Sequence, residues 1–113
     1  MHEYSIVQSL LDLCEENAEK YHAVRIDKVI IKIGIFSGVE PYLVETAFNT
    51  FKETTICNNA ELIINMQPLT IECNECNSIS ESKELYCKCQ KCGSTNAEII
   101  DGKDMYLMRL EME

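Results

Sequence analysis

The sequence contains no tryptophan, two prolines, four glycines and two histidines in 113 residues. Aromatic residues make up only 7%, so a core must come mainly from aliphatic and sulfur-bearing side chains. No apolar run approaches the roughly 20 residues that a helix needs to span a bilayer. Residues 1–20 carry acids throughout and have no apolar stretch behind a basic start, so no secretory signal is expected. Basic residues are scarce, 10 against 19 acidic ones, for a formal charge of -9. Such a surface repels phosphate backbones and anionic lipid heads, so neither nucleic acid nor membrane is expected as a partner, and the charge opposes a nucleic-acid-binding ribbon as an alternative reading. No Ser-His-Asp set, P-loop or other catalytic constellation is present, so an enzyme is not expected.

What the chain does have is a hydrophobic fraction of 46%, enough for one small core. The length suits one compact domain or a small domain carrying a lesser lobe. A chain this short gains from a metal staple. The acidity is uneven: residues 1–72 hold eleven acids and five bases, and residues 73–95 hold three of each.

The spacing predicts a helix over 3–21, with Ile6, Val7, Leu10, Leu11, Leu13, Cys14 and Ala18 apolar and Asp12, Glu15, Glu16 and Glu19 opposite. His22 and Ala23 lead into a β-branched strand over 28–35, in which Val29, Ile31, Ile33 and Ile35 share a face. Gly34 and Ser37-Gly38 break that run. Pro41 then opens a helix over 41–53 carrying Val44, Ala47, Phe48 and Phe51. A second strand is expected over 60–66, and Pro68 marks the edge of the next unit. Residues 69–73 read as a short strand, 77–88 as a polar loop, 97–100 as a returning segment and 105–112 as a closing strand. The expected fold is α+β: a small helix-and-sheet domain, two helices and about three strands, with an inserted zinc-ribbon-like lobe. Its boundaries are 1–68 plus 97–113 for the main domain and 69–96 for the lobe.

The cysteines carry the clearest chemistry. Seven is an odd count, and four of them form C-x₂-C-x₁₂-C-x₂-C: Cys73, Cys76, Cys89 and Cys92. Two intervening residues let both sulfurs of a pair reach one ion, and two pairs close a four-sulfur shell with no open position. That favours a structural Zn²⁺. A redox CxxC is disfavoured by the second pair, while iron in the same shell is not separated from zinc by sequence. Gly93 follows Cys92, and Asn77 follows Cys76. Both tolerate the left-handed backbone that a tight knuckle needs. Cys87 offers a rival ligand beside Cys89, with a spare thiol as the plainer reading. Cys14 reads as a core residue, and Cys57 has no evident role. With no signal and paired CxxC, the expected compartment is a reducing cytoplasm.

The other feature is Met1-His2-Glu3. An amine at residue 1, the amide nitrogen of residue 2 and the His2 imidazole can close fused chelate rings. Ionising an amide suits Ni²⁺ or Cu²⁺, which favour square-planar nitrogen fields. Spacing alone leaves a solvated terminal histidine as the simpler reading.

Met1-His2-Glu3, the helix behind it, the segment Ile33-Gly34-Ile35-Phe36-Ser37-Gly38-Val39 and the paired CxxC resemble, in order and across essentially the whole chain, the HypA/HybF hydrogenase maturation family. The resemblance implies a nickel metallochaperone that binds Ni²⁺ weakly as transient cargo at Met1, His2 and Glu3. It implies structural zinc at Cys73, Cys76, Cys89 and Cys92. It also implies delivery toward the [NiFe]-hydrogenase large subunit together with a HypB-type GTPase; some relatives also serve urease. Some members carry histidine after a CxxC. Here those positions are Asn77 and Gly93, which leaves a histidine-based zinc switch without its residues. The competing reading is a zinc-ribbon scaffold or adaptor that binds no nickel.

Overall fold

The computed structural model describes residues 3–82 and 88–113. Helix α1 spans Glu3–Lys20 and buries Val7, Leu10, Leu11, Cys14 and Ala18, the face expected from its spacing. It stops at His22, which takes the left-handed conformation (φ 56°) that ends many helices. The Ala23 N–H reaches back to the Ala18 carbonyl at 2.8 Å and the His22 N–H to Glu19 at 3.2 Å. His22 therefore serves as a helix stop, a place usually given to glycine.

Strand β1, Ile26–Gly34, is the centre of a sheet ordered β2-β1-β6. Strand β2 (Glu61–Gln67) runs parallel to it, from Lys28 against Glu61 to Gly34 against Gln67. Strand β6 (Met105–Met112) runs antiparallel, with a register shift between Ile30 and Ile31. The parallel pair requires a crossover, which helix α2 (Pro41–Phe51) and a short 3-10 turn (Lys52–Thr54) provide. Pro41 occupies the first turn, where its missing N–H costs nothing. Both helices lay their apolar faces on one side of the sheet, and Val29, Ile31, Ile33, Val44 and Phe48 are wholly buried there. Ile30, on the other side of the sheet, is also buried.

Cys14 and Cys57 join the same core, both fully buried. The Glu15 carboxylate accepts the Ile56 N–H at 2.8 Å, which brings the neighbours of the two thiols together. A hydrogen bond to Cys57, then burial, pushes the Cys14 thiol well up, so it packs as a neutral group.

A second sheet, ordered β4-β3-β5, is built from Leu69–Cys73 (β3), Ile79–Ser82 (β4) and Ala97–Asp101 (β5). All its pairings are antiparallel. Strand β4 lies inside the stretch expected as a polar loop. Its Ile-Ser-Glu-Ser sequence has no apolar face, and Ile79 is exposed, so only the ladder to β3 identifies it as a strand. Strand β5 pairs with β3 along Cys73↔Ala97 to Thr70↔Asp101 and so belongs to this second sheet. The two sheets make an elongated molecule, 51 × 27 × 17 Å. Its radius of gyration is 17.0 Å, against about 13 Å for a compact chain of this length.

The sheets meet where the Gly34-to-Val39 segment turns away from β1. The Ile35 N–H donates to the Gln67 carbonyl (2.9 Å), the Phe36 N–H to the Gly102 carbonyl (3.0 Å) and the Gly34 N–H to the Asp104 carbonyl (2.9 Å). A Cβ on Gly34 would lie 2.3 Å from the Gly102 carbonyl carbon and oxygen. Gly102, at φ 104°, in turn presses against the Leu69 backbone, which a Cβ would approach to 2.7 Å. Glycine is needed at both places because backbone passes against backbone. Beside them Lys32 donates to Asp101 at 2.6 Å, tying β1 to β5.

Gly34→Ala is expected to destabilise the chain by more than about 2 kcal/mol in chemical denaturation, because rigid backbone is the obstacle. Unchanged stability would mean the strands can part freely. The Lys32 hydrogen bond, opposed by desolvation and helped by the Gly102 N–H, holds the Asp101 carboxyl below its ordinary value. A depressed carboxyl pKa contributes stability above its unfolded value, about 3.9, and loses it as pH falls through the folded value. Asp101→Asn should therefore cost on the order of 1 kcal/mol near neutrality. The gap between variant and wild type should close below about pH 4 in the same assay.

Candidate metal centre

Strand β3 alternates inward and outward, so Leu69, Ile71 and Cys73 are buried on one face. That alternation delivers the first cysteine to the end of a small apolar strip. The chain then turns. The Asn77 N–H donates to the Cys73 carbonyl at 3.0 Å, and the Cys73 N–H donates to the Ser78 carbonyl at 3.0 Å. The second turn repeats both bonds: Gly93 N–H to Cys89 carbonyl at 2.9 Å, and Cys89 N–H to Ser94 carbonyl at 2.8 Å. Asn77 (φ 60°) and Gly93 (φ 77°) both adopt the left-handed conformation, as their residue types suggest. The two knuckles are thus the same device used twice, Cys-x-x-Cys-Asn/Gly-Ser.

Facing each other, they bring four sulfurs together. Cys73, Cys76, Cys89 and Cys92 place all their Sγ atoms within 4.8 Å of one another. Cys73 and Cys92 are 3.6 Å apart, and Cys76 and Cys89 are 3.5 Å apart. A zinc ion with four thiolates at about 2.3 Å sets sulfurs about 3.8 Å apart at the corners of a tetrahedron. The shell therefore fits zinc with little adjustment. Cys73 and Cys89 are buried, Cys76 is half-buried and Cys92 is exposed. Around the shell, the Cys76 and Glu75 N–H groups each donate to Cys73 Sγ at 3.4 Å, and the Cys92 N–H donates to Cys89 Sγ at 3.3 Å. Asn74 is bonded to Asn96 through backbone and side chain, which pins the first knuckle to the entry of β5.

The electrostatics favour capture of a cation. The Ser78 hydroxyl is the main reason the Cys89 thiol is held down at about 5, helped by the backbone N–H of Cys92. The same hydroxyl, then the Ser78 backbone N–H, lowers Cys76. Cys92 is pushed up to about 12: the Ser94 backbone N–H favours its thiolate, but its bonds to Cys89 and Cys73 and desolvation outweigh that. Cys76 and Cys89 are thus ready acceptors, and an arriving metal must displace the proton held on Cys92.

Of the remaining residues singled out by sequence, Met1, His2 and Cys87 lie outside the described residues. Glu3 is the first residue of α1. Its carboxylate accepts the Glu40 N–H at 3.4 Å, so the first residue of α1 lies against the start of α2. Glu40 escaped sequence reasoning, since nothing local links it to residue 3. Ser78 also escaped it, although the Ser94 repeat at the same offset was visible.

The fold and the four-sulfur shell define a small α+β protein with a closed, non-catalytic metal site. A family model described as hydrogenase/urease nickel incorporation, metallochaperone, hypA matches residues 1–112. The hydrogenase maturation factor HypA of Aquifex aeolicus (strain VF5) is 52% identical over 113 residues, covering 100% of this chain and 98% of its own. That of Shewanella baltica (strain OS195) is 50% identical, with 100% and 97% covered. A solution structure of the Ni metallochaperone HypA from Helicobacter pylori aligns with a TM-score of 0.73 at 41% identity, covering 99% of this chain and 97% of that one. The chain belongs to the HypA family. That family consists of metallochaperones, so the expectation that the chain is not an enzyme holds.

Cys73→Ala or Cys92→Ala should abolish zinc retention, measured by elemental analysis after desalting. Amide exchange should then rise across 69–82 and 88–101, while α1 and the β2-β1-β6 sheet stay protected. Full zinc content in either variant would contradict the ligand assignment.

Proposed function

We propose that the chain carries Ni²⁺ at its N-terminal end and hands it on during [NiFe]-hydrogenase maturation, while a zinc ion on Cys73, Cys76, Cys89 and Cys92 holds the second lobe. The observation that supports this most is the joint one: a full-length family match and a closed four-sulfur shell with no position for a transient ligand. A closed thiolate cage releases metal slowly, so cargo must ride elsewhere. Met1 and His2, followed by Glu3, offer an amine, an amide and an imidazole, a set suited to nickel. A free amine on residue 1 would complete one chelate with the amide and the imidazole, and a chelate of this kind exchanges its metal faster than a closed thiolate cage.

The labour divides between two units. The two helices with the β2-β1-β6 sheet handle nickel, and the β4-β3-β5 sheet with its knuckles holds zinc, so the boundary falls near Gly102 and not at residue 97; the backbone contacts of Gly34, Gly102 and Leu69 join the two. The partners follow from the cargo: a HypB-type GTPase and the hydrogenase large subunit, with urease maturation proteins as a further route. Tyr4, Leu43 and Phe51 are exposed apolar residues around Glu3 at the start of α1, with the Tyr4 and Phe51 rings edge to face at 5.4 Å. Such a surface suits a protein that must approach the donor site. Among the described residues no helix is long and apolar enough to cross a membrane. The thiolate site belongs in the reducing cytoplasm.

His2→Ala, and separately any extension ahead of Met1, should each weaken nickel binding at least about tenfold, since each removes one donor of the same chelate. Zinc content should not change. Affinity should also fall with pH, because protons compete for the amine, imidazole and amide. Calorimetry on the untagged chain, the extended chain and His2→Ala checks this. Unchanged affinity in the extended chain removes the amine from the shell, and unchanged affinity in His2→Ala removes nickel from this end altogether.

A further inference from the structure

The two knuckles are alike in backbone but not in their serines. Ser78 follows Cys76 by two residues, as Ser94 follows Cys92. The Ser78 hydroxyl lies 2.9 Å from Cys76 Sγ and 3.3 Å from Cys89 Sγ, one sulfur from each knuckle. The Ser78 carbonyl is fixed by the Cys73 N–H, which holds the residue in place. Ser94 points its hydroxyl elsewhere, accepting the Asn96 N–H at 3.0 Å. Among the described residues, then, one edge of the four-sulfur shell has a hydroxyl against it and the Cys73–Cys92 edge has none.

A metal-bound thiolate is an acceptor only, so in the loaded site the hydroxyl proton must point at sulfur. A hydrogen bond draws electron density from the thiolate. That makes the sulfur a poorer nucleophile and a poorer donor to the metal, and partners outside the ligand set commonly tune a site in this way. Accessibility alone would leave two sulfurs open to attack, half-buried Cys76 and exposed Cys92. We infer that Ser78 is a positioning residue of the zinc site: its hydroxyl donates to the Cys76–Cys89 edge and protects Cys76, leaving Cys92 as the thiolate that first leaves the metal or meets an electrophile. This rests on zinc ligation by the four cysteines and adds an order of lability within that shell.

The test uses the full chain loaded with Co²⁺, which reports thiolate donation through its sulfur-to-metal charge-transfer absorption, and the zinc-loaded chain under limiting N-ethylmaleimide with mass-spectrometric mapping. In the wild type Cys92 should be alkylated first. In Ser78→Ala the charge-transfer band should move to longer wavelength, because the sulfurs are more electron-rich. Cys76 alkylation should rise several-fold toward the Cys92 rate. Ser78→Thr keeps the hydroxyl and should restore both readouts, and Ser94→Ala should change neither. A Ser78→Ala that loses metal while Ser78→Thr keeps it supports the hydroxyl as well. A band and a Cys76 rate that Ser78→Ala leaves unchanged overturn the role of Ser78 alone, as does loss of metal in both Ser78 variants. Absence of any thiolate band in the wild type overturns the ligation itself.

Discussion

Four sulfur atoms within 4.8 Å hold together a lobe that has almost no apolar core of its own. Besides two of the cysteines, its buried hydrophobic residues among those described are Leu69 and Ile71. Burying an aliphatic side chain contributes about 1.5–3 kcal/mol, whereas zinc in small structural modules contributes about 10–16 kcal/mol to folding. The metal is therefore the dominant stabilising term there. The rest of that lobe is arranged to serve it: β3 delivers Cys73, the two knuckles aim their N–H groups inward, and Asn74 with Asn96 closes the gap to β5.

The α1–α2–sheet unit needs no such aid. Its core runs from Val7 through Phe48 to Ala60, and β1 is apolar on both faces because it is the central strand. The link between the two units is backbone against backbone at Gly34, Gly102 and Leu69, with one part-buried ion pair beside it. This gives the Ile33-to-Val39 segment a physical purpose. It is the place where the chain entering the second sheet and the chain leaving it both pass the end of β1.

Most of the first unit was legible from residue spacing. The helical periodicity in residues 3–20, the β-branched run of β1 and Pro41 at a helix start all act locally, and the structure places them within a few residues of expectation. The four cysteines were legible because two CxxC pairs admit few readings, and Asn77 and Gly93 carried the left-handed turns that their types allow. What was hidden depends on contacts across the chain. Strand β4 has a polar sequence, and only its ladder to β3 defines it. Ser78 looks like any serine until the fold sets its hydroxyl between sulfurs from two knuckles. The approach of Glu3 to Glu40 spans the whole of α1 and β1.

The arrangement separates two kinds of metal binding by chemistry. A closed sulfur shell suits an ion that stays, and the amine–amide–imidazole chelate proposed for nickel suits one that leaves. The most direct measurement is elemental analysis combined with native mass spectrometry on the untagged chain, before and after Ni²⁺ is added. The account predicts one zinc per chain that survives desalting and one further nickel that is lost to a mild competitor while zinc remains. Nickel that displaces zinc from the thiolates, or a chain that holds no zinc at all, would contradict it.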